Sequence, residues 1–179
     1  EQLIIRGATL INGNGAPPIG PIDVVVEKNI IKEVSVVGYP GVEIDPKKRP
    51  PLRDGGKEID AHGMFLLPGF IDMHGHIGGV AQGADWDYVF NLWLAHGITT
   101  AREPSGRGRD WALDLKKRSE KNEIIAPRII QYTGFGQGSK YEISTPEQAR
   151  QWVRENAKAG SDGIKFFGAA PKIMEAALD

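Results

Sequence analysis

The sequence LPGFIDMHGH, residues 67–76, decides the interpretation of this chain. Its apolar part, 69–73, predicts a short strand. His74 and His76 follow two residues apart, so strand alternation would place both imidazoles on one side. Imidazole nitrogen is a common ligand of divalent ions, and active sites of parallel α/β proteins lie at the carboxyl ends of strands. The two-histidine motif is weak alone, but its position predicts a candidate metal site.

Strands and helices alternate downstream of this segment. After the strand at 69–73, strands are predicted at 98–101, 128–132 and 163–167, and helices at 85–96, 110–121 and 145–159, with a last helix beginning near Pro171. Alternation of this kind means parallel strands joined by helical crossovers. Four such units fit either a small doubly wound sheet or half of an eight-stranded barrel.

The region upstream of residue 67 is predicted to be all β. Short β-branched runs stand at 3–6, 23–27 and 30–37, and two shorter ones at 58–60 and 64–66. Turn-forming and proline-rich stretches separate these runs, which is the pattern of short strands.

The composition narrows the function classes. The 179 residues include 22 basic and 23 acidic side chains, a balance that argues against nucleic-acid binding by bulk charge. The absence of cysteine excludes disulfides, a thiolate nucleophile and cysteine-ligated metal. No apolar run approaches the roughly 20 residues of a membrane span. A soluble, cytoplasmic protein is expected, although a leader could have been removed before residue 1.

Lys165 is the second candidate residue, because it lies in an otherwise apolar predicted strand. A buried ammonium is unfavourable unless it is paired or neutralised. The side chain could extend to water from the strand end. Alternatively, its amine takes up carbon dioxide and becomes a carbamate that bridges two metal ions. The spacing alone favours the first interpretation.

Three further candidates stand at the ends of the second and third predicted strands. Arg102 and Glu103 follow the second strand, where they could form an ion pair behind a metal ligand, contact substrate, or be a plain surface pair. Tyr132 ends the third strand and is a candidate for the same roles. His96, before Gly97 at a helix end, is predicted to cap carbonyl groups.

Several segments, taken in order, resemble the metal-dependent amidohydrolase superfamily, in its imidazolonepropionase- and prolidase-like branch. Residues 67–76 resemble the first-strand signature of the barrel, 97–103 the second strand and 160–165 the fourth strand. Residues 10–15 and 58–64 resemble the start of its β-sandwich and the lead-in to the barrel.

The resemblance implies an α/β fold with two domains. Residues 1–66 would form the N-terminal part of a β-sandwich, and 67–179 the first four units of a (β/α)8 TIM barrel. Such a barrel takes about 250 residues, so the chain is expected to be an N-terminal fragment that is inactive alone. The remainder of its own barrel is an expected partner, and open strand edges make a homo-oligomer conceivable. Neither nucleic acid nor membrane is an expected partner.

The resemblance also implies a chemistry. His74 and His76 would bind the more buried of one or two divalent ions, with zinc expected and manganese, cobalt or iron as alternatives. Lys165, as a carbamate formed with carbon dioxide, would bridge the metals and take part in catalysis. Metal-activated water would hydrolyse an amide or other C–N bond of a small molecule, such as a cyclic amide or a dipeptide. The alternative is a non-catalytic metal-binding or scaffold module of the same fold.

Overall fold

The computed structural model describes residues 1–78, 83–104 and 106–179, and has a mixed α/β architecture. The chain divides into two compact units, Glu1–Pro68 and Gly69–Asp179.

A five-stranded sheet forms the first unit. Its order is β3-β2-β1-β4, and β5 also pairs with β1; the first three strands are antiparallel, whereas β4 and β5 run parallel to β1. Asn29 turns the chain between β2 and β3 with a φ of 67°, a conformation that asparagine tolerates. The strands are β1 (Gln2–Leu10), β2 (Ile19–Glu27), β3 (Ile30–Val36), β4 (Lys57–Asp60) and β5 (Phe65–Leu66).

A buried carboxylate network ties this sheet to the loop that follows β3. The side chain of Asp23 is 0% exposed. One of its oxygens, Oδ2, accepts hydrogen bonds from Arg6 Nη1 at 2.9 Å and Arg49 Nε at 3.0 Å. The other, Oδ1, accepts from Arg49 Nη2 and from the Gly7 amide, both at 2.9 Å. Burial raises the pKa of Asp23, but the hydrogen bonds from Arg49, Arg6 and Gly7 outweigh it, so the pKa lies below its ordinary value.

Four parallel strands in the order β6-β7-β8-β9 form the sheet of the second unit, with helices between them. This confirms the predicted alternation. The strands are β6 (Phe70–Asp72), β7 (Ile98–Pro104), β8 (Arg128–Gly134) and β9 (Gly163–Lys165), and the helices are α1 (Trp86–Ala95), α2 (Arg109–Glu120), α3 (Pro146–Ala159) and α4 (Pro171–Leu178).

One face of this sheet packs against helices. Ile129 of β8 is buried with Phe90 of α1 and Leu115 of α2, and this apolar cluster also contains Ile77. Because strand side chains alternate, Ile130 and Tyr132 of β8 lie on the opposite face. The candidate residues therefore lie on two faces: Glu103, which pairs with Gln131, shares the helix-facing side of Ile129, whereas Arg102 and Tyr132 lie on the opposite face.

The helix ends follow from local sequence. Thr145 and Gln148 form a capping box at the start of α3, and Gly160 ends it in a left-handed conformation. His96 caps α1, with Nδ1 at 2.7 Å from the Leu92 carbonyl oxygen, as predicted. Among the helices in the described ranges, none is long and apolar enough to cross a membrane.

Candidate metal and substrate site

The histidine loop, residues 73–77, follows β6 at the carboxyl end of the parallel sheet. Two hydrogen bonds fix its main chain. The amide of His74 donates to Asp72 Oδ1 at 2.8 Å, and the amide of Gly75 donates to the Arg102 carbonyl oxygen at 3.1 Å. The first bond links Asp72 to the residue two positions on, and the second ties the loop to β7. Backbone contacts therefore set the position of the two histidines.

The two imidazoles of this loop lie side by side. Their ring centroids are 5.4 Å apart, with an interplanar angle of 69°. His76 Nδ1 lies 3.5 Å from Glu103 Oε1, and the His76 side chain is 55% exposed whereas that of Glu103 is fully buried. The interpretation of Arg102 and Glu103 as a plain surface pair is therefore wrong for Glu103. Because Nδ1 of His76 faces the Glu103 carboxylate, Nε2 is the ring nitrogen that points away from Glu103.

Gly75 lets the histidine loop lie against the first helix. A Cβ atom at this position would come within 2.8 Å of the Trp93 ring, closer than real contacts allow. Trp93 is half-buried against the cluster of Phe90 and its neighbours. A glycine between the two histidines is therefore required by packing, whatever the histidines bind.

Arg102, Tyr132 and Lys165 share the face of the sheet opposite α1 and α2. In the strand register, Arg102 pairs with Ile130, and Gly134 pairs with Lys165. Since Ile130, Tyr132 and Gly134 alternate with the buried residues of β8, their partners lie on the same face. Arg102 Cζ stands 5.0 Å from the centroid of the Tyr132 ring, within cation–π range.

Tyr132 in turn lies across β9. A Cβ atom at Gly163, its partner in the register, would approach the Tyr132 ring to 2.6 Å. The glycine therefore leaves the space that the ring occupies. Three neighbouring strands thus form one continuous surface. The Arg102 guanidinium comes from β7 and the Tyr132 ring from β8, and the ring lies over Gly163 of β9.

Lys165 is the last residue of β9 and is half-buried. Its Nζ atom stands 5.6 Å from the centroid of the Phe167 ring, which is 76% exposed. Within the described ranges, no hydrogen bond links Lys165 to His74 or His76. Carboxylation of Lys165 and its bridging role stay predictions.

The donor set fits part of a metal site. Two imidazoles on one short loop are ligands of the right type for zinc and related ions. Among residues 1–78, 83–104 and 106–179, no group of three or more His, Cys, Asp or Glu side chains is placed to hold an ion. His74 and His76 therefore supply two ligands, and the described residues do not complete the set with side chains of these four types.

Sequence reasoning missed the part that Asp72 plays. A regular strand would direct Asp72 away from the site, but β6 ends at Asp72 and its carboxylate accepts the His74 amide. The sequence could have predicted this hydrogen bond, because the side chain of an aspartate commonly accepts from the amide two residues further on where a chain turns. His62 lies in a turn, and its ring contacts Asp60 through Nδ1.

Comparisons with known proteins found one curated sequence relative and several solved structures of similar fold. No family model matches the sequence. The chain is 30% identical over 103 residues to a 5-methylthioadenosine/S-adenosylhomocysteine deaminase from Caldicellulosiruptor saccharolyticus, a match that covers 57% of this chain and 22% of the deaminase. Among solved structures, it is similar to molinate hydrolase (TM-score 0.72, 18% identity, 100% of this chain and 51% of that one).

Two peptidase structures are similar as well. One is a prolidase complexed with N-methylphosphonate-L-proline (TM-score 0.68, 19% identity), for which the match covers 93% of this chain and 46% of the prolidase. The other is a Xaa-Pro dipeptidase with methionine bound in its active site (TM-score 0.64, 22% identity), with coverage of 100% and 54%. At these identities the likeness is one of fold, and the chain spans about half the length of these structures.

Proposed function

We propose that this chain belongs to an enzyme of the amidohydrolase superfamily that hydrolyses amide or other C–N bonds of small molecules with the help of a divalent metal ion. Its similarity in fold to solved hydrolase structures supports the proposal. The observation that carries the proposal is the histidine loop. It places two adjacent imidazoles at the carboxyl end of a parallel sheet, where such folds build their active sites. The similarity to a deaminase and to peptidases supports a C–N bond as the target.

His74 and His76 are the proposed metal ligands. A divalent ion held there would activate a water molecule and polarise the substrate carbonyl. The chain's own contribution is to orient the ligands. The Asp72 carboxylate and the Arg102 carbonyl oxygen fix the loop, and Glu103 faces Nδ1 of His76. This arrangement makes Nε2 the ligating atom of His76, since a carboxylate beside one ring nitrogen sets the tautomer.

Lys165 is the proposed third ligand, after reaction with carbon dioxide. It stands at the carboxyl end of β9, two strands from Arg102, on the face that carries Tyr132. A carbamate forms when the neutral amine attacks carbon dioxide and loses one proton, which replaces the ammonium by an anion. This change suits a half-buried position, because an anion there is neutralised by bound metal.

Metal content of the purified protein tests the proposal. We expect a bound divalent ion in the wild type, measured by elemental analysis after purification without chelators, and its loss in both His74→Ala and His76→Ala. His62→Ala is the matched control, because His62 is an exposed histidine in a turn of the first unit, and it should retain the metal. For Lys165, protein prepared with 13C-bicarbonate should show a carbamate carbon signal that Lys165→Met lacks.

Two results would contradict the proposal. Equal metal content in the wild type and in both loop variants would show that His74 and His76 are not metal ligands. Metal binding without hydrolysis of any amide or C–N substrate by the product of the complete reading frame would instead favour a binding module.

A further inference from the structure

The turn between β1 and β2 contains two asparagines that are each followed by glycine. Residues 12–15 read Asn-Gly-Asn-Gly, and all four are exposed. Every other asparagine of the chain precedes a residue with a side chain. The amide nitrogen that follows an asparagine can attack the carbonyl carbon of its side chain, and a glycine puts no Cβ atom in the way of this attack. The turn therefore offers two positions for a spontaneous chemical modification.

Hydrogen bonds hold both asparagine side chains against the main chain that follows them. Oδ1 of Asn12 accepts from the Asn14 amide at 3.1 Å, and Oδ1 of Asn14 accepts from the Ala16 amide at 2.9 Å. Each bond closes a ring of atoms that includes the amide nitrogen of the intervening glycine. The side-chain carbonyl carbon is thereby kept near that nitrogen. The accepted hydrogen bond also withdraws electron density from the carbonyl group, which makes its carbon a better electrophile.

The two glycines supply the nucleophile and the freedom to use it. Gly13 and Gly15 have φ angles of 79° and 84°, a region that glycine enters at no steric cost. Closure of a ring between side chain and main chain requires further rotation about this backbone, which glycine permits more readily than any other residue. Because both glycines are exposed, hydroxide from solvent can remove the amide proton before the attack.

We propose that Asn12 and Asn14 deamidate in the folded protein through a cyclic imide. The deprotonated glycine nitrogen forms a bond to the side-chain carbonyl carbon, the bond from that carbon to Nδ2 breaks, and Nδ2 takes up a proton from solvent and leaves as ammonia. One water molecule then opens the imide at either of its carbonyl groups, which gives aspartate or isoaspartate. Each event replaces a neutral amide by a carboxylate, so the formal net charge changes from −1 to −3 when both positions have reacted.

The isoaspartate product changes the turn more than the aspartate product does. Aspartate keeps an Oδ1 acceptor in place, whereas isoaspartate inserts a methylene group into the main chain. Leu10 and Ile19 form the cross-strand pair next to the turn. Lengthening of the connection therefore acts first on this end of the β1–β2 ladder, where we expect amide hydrogens to exchange faster after conversion.

Peptide mapping of aged protein tests the proposal. The wild type is incubated in 18O-water at mildly alkaline pH, digested and analysed by mass spectrometry, with a synthetic peptide of residues 8–20 as the unfolded reference. We expect Asn12 and Asn14 each to lose ammonia and gain one 18O atom, at rates within about tenfold of the peptide, since an exposed turn opens at little cost in free energy. Fragmentation by electron transfer should detect isoaspartate at both positions.

Asn29 is the matched control, because it is also an exposed asparagine in a turn of the first unit but precedes Ile30. The β-branched side chain of Ile30 hinders ring closure, so Asn29 should react at least about tenfold more slowly. The double variant Asn12→Gln with Asn14→Gln should stay unmodified, because its longer side chains would have to close a larger ring.

Three results would overturn the inference. The first is that Asn12 or Asn14 stays intact in the protein while the same position converts in the peptide. The second is that Asn29 reacts as fast as Asn12 and Asn14. The third is that aspartate alone is formed, which indicates direct hydrolysis of the side-chain amide without a cyclic imide.

Discussion

The buried Asp23 network offers a quantitative test of what holds the first unit together. Asp23→Asn keeps one oxygen but replaces Oδ2, which accepts from Arg6 and Arg49, by an amide group that cannot accept. Two charge-assisted hydrogen bonds are lost, at about 1.5–3 kcal/mol each. Water reaches the two arginines, whose side chains are 12% and 23% exposed, so we expect the lower end, a loss of about 3 kcal/mol.

The loss should depend on pH in one direction. The folded pKa of Asp23 is lowered by its hydrogen bonds, which outweigh the opposing effect of burial. Its stabilisation is therefore complete above the unfolded pKa of about 3.9 and disappears as the pH falls through the lower folded value. The difference between wild type and Asp23→Asn should stay constant from pH 7 to pH 5 and shrink below about pH 4.

The assay must separate the two units. Hydrogen exchange in urea, followed by mass spectrometry on peptides from β1 and β2, reports on the first unit. Tryptophan fluorescence reports on the second, which contains all four tryptophans. Asp54→Asn is the control, because Asp54 is an exposed aspartate of the first unit. An equal effect of both substitutions, or a difference that persists unchanged at pH 3, would refute the reasoning.

Two further predictions concern the second unit. Thr145→Ala should lower the stability of this unit by about 1 kcal/mol, since it removes the capping hydrogen bond of α3; urea unfolding followed by tryptophan fluorescence measures it, and an unchanged midpoint would contradict it. Gly163→Ala should destabilise by about 1–3 kcal/mol, because the new Cβ overlaps the Tyr132 ring. In the double variant with Tyr132→Leu most of that loss should be relieved, and equal losses in both backgrounds would exclude the overlap as its cause.

Local patterns predicted most of the elements, and they failed where the chain departs from regular geometry. The run 3–6 predicted a strand that ends before Gly7, but β1 continues to Leu10 through an irregular register between Ile5 and Ala8, where Gly7 has a φ of 77°. An interior glycine resembles a strand end in sequence and acts here as a bulge. Conversely, β9 ends at Lys165, although its apolar sequence extends to Phe167.

The candidate site was predictable only in its local parts. The histidine pair is visible in sequence because both residues follow one strand. The contact between His76 and Glu103, and the stacking of Arg102 on Tyr132, join residues about 30 positions apart. Such pairs depend on the strand register, which helix and strand periodicity does not specify. The burial of Glu103 follows from the same register, since it lies on the helix-facing side of β7.

The hydrogen bond from Gly75 to the Arg102 carbonyl oxygen has a consequence for how such a protein can diversify. The bond uses only main-chain atoms, so any side chain at position 102 leaves the anchor of the histidine loop in place. The main chain of residue 102 thus holds the loop that carries His74 and His76, whereas its side chain contacts the Tyr132 ring. Substitution at position 102, by evolution or in a directed library, is therefore expected to change the surface of the sheet without removing the hydrogen bond that anchors the neighbouring histidines.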